Sequence, residues 1–432
     1  MVIIPRWCPG EDFSFLSGLA AATRATSTPV SATLDNGLQI LCVENPTTHT
    51  VALSAFIKTS ARAEATSTAG IRQFVAEAVV DCGAYEDPEI SDRINDLGAQ
   101  VYVSAAIDFT EISVLAAAED IVPAAELLSE ILFATELSAG CIVRQRNETS
   151  ITLRQGGDLP EIAAERKAAA LLYPNHPLGW PVEGLSASVS GFTIEDIERF
   201  HKGSYLSNNV LVSVAGGVPA RAALAAVESA FDSALPGKAL PEVTREPLPA
   251  IAGRTVIHRG GQVGVIHVAA RAPGPSDPTY AAASVALGVL GSGLGSRMYD
   301  SLRREEPIAY TVAAESVAAR EGSRAALIVS CPPELVREAE SRLMRDVHSL
   351  TRELASPEEI QRAKEYICTS YALSHQRSAE LAHQLGAFQV AADEGYELDW
   401  ELPRRVRQTT AEQVRDAAQA MFANPVIVRV MP

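Results

Sequence analysis

Residues 70–80, GIRQFVAEAVV, carry apolar side chains at Ile71, Phe74, Val75, Ala78 and Val79. The spacing i, i+3, i+4, i+7, i+8 predicts a helix with one buried face. Ser67 or Thr68 can cap its start, and Gly83 can end it. Gln73, Ala76 and Glu77 fall on the opposite face. Further along, "TIEDIERFHKGSYLSNNVLVSVAGG" (193–217) and "TAEQVRDAAQAMFANPVIVRVM" (410–431) share one plan. Each opens on Thr with Asp196 or Gln413 three residues later, the capping-box pattern. Each continues as a short amphipathic helix, a polar break and an alternating strand. A second pair, "TEISVLAAAEDIVPAAELLSEIL" (110–132) and "SRAALIVSCPPELVREAESRLMRDV" (323–347), predicts a strand, a loop with Pro near the helix start, and a longer helix.

The chain is therefore expected to hold two versions of one design. Residues 1–30 are read as an N-terminal extension, 31–217 as the first half, 218–250 as a helix and Pro-rich linker, and 251–432 as the second half. Strands and helices mix within each half without strict β-α-β alternation, which predicts an α+β fold. At 432 residues the chain exceeds what a single core usually organises. Apolar residues make up 47% and charged residues 21%, a globular composition. A formal net charge of −17 argues against nucleic acid or an anionic membrane surface as the main partner. No apolar run reaches the ~20 residues of a membrane span. The first residues make a poor signal peptide, since Glu11 and Asp12 precede a short apolar run broken by Ser17 and Gly18. Cys8, Cys42, Cys82, Cys141, Cys331 and Cys368 form no C-x-x-C and mostly sit in apolar runs. They are expected to be buried free thiols in a cytoplasmic protein.

The repeat plan resembles the pitrilysin/insulysin-type zinc peptidases, in the branch that includes mitochondrial processing peptidase. The resemblance is carried by "LDNGLQILCVEN" (34–45), "INDLGAQVYVSAAIDFTEISV" (94–114), "LLYPNHPLGWPVEG" (171–184) and "EIQRAKEYICTSYALSHQRSAELAHQL" (359–385), in that order. It implies two homologous halves, each a mostly antiparallel sheet covered by helices, forming a half-clamshell. The family's G-x-x-H-F-L-E-H, laid on "GIRQFVAE", sets the first His on Gln73, the base Glu on Ala76 and the second His on Glu77. The third ligand, a Glu some 75 residues later, falls near Thr152. Zinc takes about three N, S or carboxylate ligands with an open position. Gln73 and Thr152 are poor ligands, and Ala76 cannot take a proton from water. The chain is thus expected to bind no metal and to be inactive alone.

Another family feature is kept. In active relatives R-E-x-x-G-L-A-Y supplies an Arg and a Tyr that bind substrate from the opposite half, and "RREEPIAY" keeps Arg303 and Tyr310 at that spacing. Glu305, Glu306 and Pro307 depart from the family pattern. Upstream, Gly291, Gly293 and Gly295 form G-x-G-x-G after a helical run. A dinucleotide fingerprint needs a strand there, so a close-packing loop at the substrate fits better. The resemblance implies the non-zinc-binding subunit of a heterodimer, with a homologous zinc-bearing partner and an extended peptide substrate. A purely structural core-protein-like subunit and a peptide-binding module without catalysis are the alternatives.

Overall fold

The computed structural model describes residues 28–134, 136–238 and 252–432. Cys8, most of the expected N-terminal extension and the Pro-rich part of the linker lie outside the described residues. The first half contains β1 (Val30–Thr33), β2 (Gln39–Glu44), β3 (Thr50–Ile57), α1 (Ile71–Ala78), α2 (Pro88–Asp96), β4 (Gln100–Ala105), β5 (Thr110–Ala117) and α3 (Ile121–Phe133). Then come α4 (Ala139–Asp158), α5 (Pro160–Leu172), α6 (Ser186–Gly191), α7 (Ile194–Ser204), β6 (Val210–Gly216) and α8 (Ala220–Phe231). The second half contains β7 (Gly253–His258), β8 (Gly264–Arg271), α9 (Tyr280–Gly291), α10 (Arg297–Tyr299), β9 (Thr311–Val317), β10 (Arg324–Cys331) and α11 (Val336–Arg352). It closes with α12 (Pro357–Ser374), α13 (Ser378–Ala391), α14 (Glu397–Gln408), α15 (Ala411–Met421) and β11 (Val426–Met431).

The two sheets repeat one topology. The first runs β1-β2-β6-β3-β5-β4 and the second β7-β11-β8-β10-β9. In each, the last strand of the half pairs parallel to the first of the shared five, β6 to β2 and β11 to β7, and every other pairing is antiparallel. Both expected capping boxes are present. Asp196 N donates to Thr193 Oγ1 at 3.3 Å while Thr193 N donates to Asp196 Oδ2 at 3.2 Å. Gln413 N and Thr410 N make the reciprocal pair at 3.3 and 2.9 Å. The fold is α+β, with two sheets covered by helices.

Each sheet packs its own half's helices on one face. The other face receives a helix from the opposite half. Helix α5 lays Ala164, Ala168 and Leu172 on Val265 and Ala269 of β8 and on Val426, Val428 and Val430 of β11. Helix α13 lays Leu381, Ala382 and Leu385 on Val43, Ala52 and Ala215. Strands covered twice read as continuous apolar runs, which is why β3, β6 and β8 are buried almost throughout. The edge strands β4 and β7 keep the alternating pattern of one covered face. Gly386 of α13 is required by this exchange: a Cβ there would stand 2.0 Å from the Phe56 ring.

Polar ties reinforce the exchange. His383 of α13 meets Glu111 of β5, Nδ1 to Oε2 at 2.6 Å. Arg320 N donates to Asp108 at 2.6 Å, Arg62 pairs with Glu321, and Thr50 Oγ1 meets Ser378 Oγ at 3.0 Å.

Three expectations are corrected here. Helix α1 is capped neither by Ser67 nor by Thr68 but starts at Gly70, whose φ is +86°. A Cβ on Gly70 would stand 2.4 Å from Gly184 Cα, itself at φ +94°, so two glycine backbones in contact fix the helix start. The helix does not stop at Gly83 but widens into a π-turn over Val79–Ala84. Third, Cys82 of that turn and Cys141 of α4 form a disulfide, so the six cysteines are not all free thiols. Their 59-residue separation concealed the pairing, since no C-x-x-C signal exists at that range. Cys42, Cys331 and Cys368 are free.

Two measurements follow from this architecture. Thiol titration after unfolding should rise by two when a reductant is added first; no rise would remove the disulfide. The second concerns His383. Burial pushes its pKa down, but the Glu111 carboxylate outweighs burial and the net shift is upward. Burial pushes Glu111 up, and His383 outweighs it, so the net shift is downward. The raised His contributes fully below its ordinary 6.5 and loses its contribution as pH climbs through its folded value. The depressed Glu contributes fully above its ordinary 4.5 and loses its contribution as pH falls through its folded value. His383→Ala should therefore destabilise most between pH 4.5 and 6.5, and least at alkaline pH. Urea unfolding across pH measures this, and a pH-independent cost would rule the ion pair out as the cause.

Candidate functional site

Helix α1 is held by its apolar face, with Ile71, Phe74, Val75 and Ala78 all buried. Phe74 meets Phe192 edge to face at 5.3 Å between ring centroids. Arg72, which the pattern left among polar positions, is 2% exposed. Its Nε lies 3.1 Å from Glu64 Oε1, and its Nη1 donates to the carbonyls of Thr59 and Ala106 at 2.8 and 2.9 Å. A buried charge is tolerable only with such a full set of acceptors. A sequence signal existed in retrospect: Glu64 lies eight residues before Arg72, across the loop that leads into α1.

The three motif positions meet on one side of α1. Gln73 Nε2 donates to Glu77 Oε1 at 2.7 Å. Gln145 Nε2, from α4, donates to Glu77 Oε2 at 3.0 Å. Both carboxylate oxygens of Glu77 are thus engaged by amides. Burial, the largest influence, pushes the Glu77 carboxyl above its usual range, and the Gln73 amide opposes it. Ala76, at the base position, is fully buried and offers no proton acceptor. Thr152 does not join this group. It is exposed on α4, and the α4 side chain that reaches Glu77 is Gln145. Sequence spacing alone missed Gln145, because helix α4 must be seated before its facing residues can be named.

This donor set does not fit zinc. Two amides and one carboxylate already saturated by them supply neither the ligand type nor an open position. Among the described residues no group of three or more His, Cys, Asp and Glu is placed to hold a metal ion.

The second half brings Arg303 and Tyr310 together. Arg303 lies in a π-turn over Asp300–Arg304, and Tyr310 directly precedes β9. Arg303 Nη1 donates to the Tyr310 carbonyl, and its guanidinium stands 5.8 Å from the Tyr299 ring centroid. Tyr310 N donates to Ser330 O at 2.7 Å, which anchors its backbone, while its side chain is 55% exposed. Glu306 pairs with Arg342, so the departures from the family turn are absorbed locally. Gly291, Gly293 and Gly295 form the connection between α9 and α10, packed close as expected. A Cβ on Gly291 would stand 2.8 Å from that of Ala314, and Gly293 has φ +79° with the Tyr366 ring 3.0 Å from its Cβ position. Arg304 Nη2 donates to Leu294 O at 2.8 Å and ties this loop to the π-turn. The Gln73 cluster and the Arg303 pair stand on different sheets.

The family profile described as Peptidase M16 inactive domain matches residues 191–367. Over those residues the chain is similar to the M16, or insulinase-type, peptidase family. A relative, an uncharacterized zinc protease of Mycobacterium tuberculosis, is 23% identical over 404 residues, covering 92% of each chain. The mitochondrial-processing peptidase subunit beta of Lentinula edodes is 23% identical over 272 residues, 60% of this chain and 57% of that one. The crystal structure of a protease from Helicobacter pylori superposes with a TM-score of 0.87 at 18% identity, covering 94% of this chain and 99% of that one. It shares the fold described here.

The state of Glu77 yields a prediction that separates packing from metal binding. A carboxyl raised by burial costs stability once ionised, so the cost grows as pH rises above the ordinary value of 4.5. Glu77→Gln should leave stability unchanged or raise it at pH 7, with no gain below pH 4.5. Thermal unfolding of both forms at the two pH values, with and without added zinc, reads this. A large loss at pH 7 that zinc alone exposes would show Glu77 to be a ligand.

Proposed function

We propose that this chain is the non-zinc-binding subunit of a heterodimeric M16 metallopeptidase, binding no metal itself and presenting Arg303 and Tyr310 to substrate at a homologous partner's zinc site. One observation carries the reading. The motif face of α1 is filled by the Gln73–Glu77–Gln145 chain of hydrogen bonds, while the Arg303–Tyr310 unit remains exposed beside an edge strand. A cation tied to the Tyr310 backbone, with an exposed phenol beside it, suits an extended peptide whose carbonyl gains charge during cleavage. The packed Gly291–Gly295 loop, tied to the same turn through Arg304, would border that peptide. The relative from Lentinula edodes is named as a subunit, which fits a two-chain enzyme.

Among the described residues no helix is long and apolar enough to cross a membrane. A cytoplasmic setting was expected, and the Cys82–Cys141 bridge favours an oxidising one instead.

The test is the assembled pair. The purified chain alone should contain no stoichiometric zinc and cleave no peptide. With a zinc-bearing homologue present, Arg303→Ala and Tyr310→Phe should each lower turnover by about 100–1000-fold, the usual cost of losing a transition-state donor. Both side chains are exposed, so folding should change little. Changes at Gln73 should leave turnover nearly untouched. Full activity after both Arg303 and Tyr310 are removed would make the chain a structural subunit.

A further inference from the structure

The crossing that carries α13 from the second half onto the first runs through one turn. Helix α12 ends at Ser374, His375 caps it, and α13 starts at Ser378. Ser378 is a foothold on the first sheet, where its Oγ donates to Thr50 O at 3.2 Å. On its own half the turn is held by a buried polar cluster against α14. His375 Nδ1 lies 2.7 Å from Tyr371 O, and His375 Nε2 lies 2.7 Å from Asp399 Oδ2. The Tyr371 hydroxyl donates to Asp399 Oδ1, so both oxygens of that carboxylate are engaged. The Asp399 side chain is fully buried, in the first turn of α14, where a helix N-terminus favours negative charge. The His375 side chain is 13% exposed.

These contacts set the protonation of the ring by geometry. A carbonyl oxygen and a carboxylate oxygen only accept, so both ring nitrogens must carry hydrogen, and only the imidazolium does. Ser374 Oγ is no substitute donor: it stands 3.4 Å from His375 Nδ1 and donates to Tyr371 O at 2.8 Å. The neighbouring elements add little that opposes the charge. On α13, Glu380 favours it, and Arg377 is paired with Glu380 at 2.7 Å. From α14 the uncharged Trp400 ring approaches to 6.2 Å between centroids. Burial keeps Tyr371 and its α9 neighbour Tyr280 as neutral phenols. Burial pushes the His375 pKa down, but the Asp399 carboxylate outweighs it and the net shift is upward.

We propose that His375, Tyr371 and Asp399 form a proton-operated latch on this crossing, which holds residues 375–377 on α14 while the ring is charged and releases them when the proton leaves. A neutral ring turns a lone pair on an oxygen 2.7 Å away, whichever nitrogen loses its hydrogen. The ring must then move, and the buried Asp399 carboxylate keeps Tyr371 without His375, an arrangement that favours opening. The turn loosens, and the first turn of α13 loosens with it. Leu381 and Leu385, packed on the first sheet, keep the rest of α13 seated. A raised histidine contributes fully below its ordinary 6.5 and loses its contribution as pH climbs through its folded value. The latch is therefore closed in acid and opens towards alkaline pH. The His383–Glu111 pair further along α13 shifts in the same direction, so His383 is the group from which the latch must be told apart. The latch lies within this chain and is independent of the subunit reading.

Two measurements on the full chain test it. The first is an NMR titration of the histidine rings, with the His375 signal assigned by its loss in His375→Phe or, if that variant does not fold, in His375→Gln. His375 should titrate above 6.5, and titration at or below that value overturns the proposal. The second is amide hydrogen exchange of residues 375–382, corrected for the intrinsic rise of exchange with pH. In the natural chain their protection should fall at least about 3-fold as pH passes through the His375 titration, while α9 stays protected. In the folded His375 variant protection should be low and free of that step, and His383→Phe should keep the step. Constant protection through the titration overturns the latch. So does a step that survives the loss of His375, which would assign it to His383.

Discussion

The constraint on which the rest depends is the exchange of one helix between halves. Neither sheet can bury both faces with its own helices, since α5 leaves the first half to cover β8 and β11 and α13 leaves the second to cover β3 and β6. Each half alone would expose a row of Val, Ala and Leu side chains to water. Burying one such aliphatic side chain is worth about 1.5–3 kcal/mol, so a row of them outweighs any single polar tie across the junction. The ties then act as register marks. His383 on Glu111 fixes where α13 sits, because a buried carboxylate without its partner would be costly, and Arg271 Nη2 donating to the Leu172 carbonyl marks the end of α5 on β8.

The same constraint decides where surface remains for binding. An exchanged helix covers only the central strands. The edge strands β4 and β9 keep an uncovered face, and β9 carries Tyr310 at its start and Glu315 near its end. Beside α5, Ala269 and Ala326 stand in one row in place of bulky core residues, so the sheet is complete as a sheet yet leaves room along one line.

What could be read from sequence was what repeats at short range. Helix periodicity, the two capping boxes and the paired strand-loop-helix segments predicted both halves and the α+β class, because each signal lies within a few residues. The family resemblance located Gln73, Ala76 and Glu77 on one helix, and Arg303 beside Tyr310, where the structure has them. What stayed hidden depends on how distant segments meet. Gln145 rather than Thr152 reaches Glu77 because of the seating of α4 on α1. The Cys82–Cys141 bridge joins that same pair of elements. Arg72 reads as a surface residue in any window, and only the carbonyls of Thr59 and Ala106 make its burial possible. The exchange of α5 and α13 left no local trace except the continuous apolar runs of the doubly covered strands.

The motif helix is held in the fold independently of Gln73 and Glu77. Its stability comes from the face opposite the motif: Phe74 on Phe192, the Arg72–Glu64 pair, and the contact of Gly70 with Gly184. None of these involves positions 73, 76 or 77. The side chains at positions 73 and 77 can therefore differ without removing a support of the helix. Two amides and a carboxylate form a hydrogen-bonded chain there, beside which Gln145 Oε1 and Thr149 Oγ1 are buried without partners. The second half is under a different constraint. Arg303 donates to the Tyr310 backbone, and the Tyr310 amide is tied to β10, so this pair belongs to the entry of an edge strand. The ties at Tyr310 run through its backbone, so its exposed side chain can change without disturbing how β9 begins, and changing Gln73 alters only the side of a helix. The two sites are therefore anchored differently in the fold: one lies on the side of a helix, the other at the entry of an edge strand.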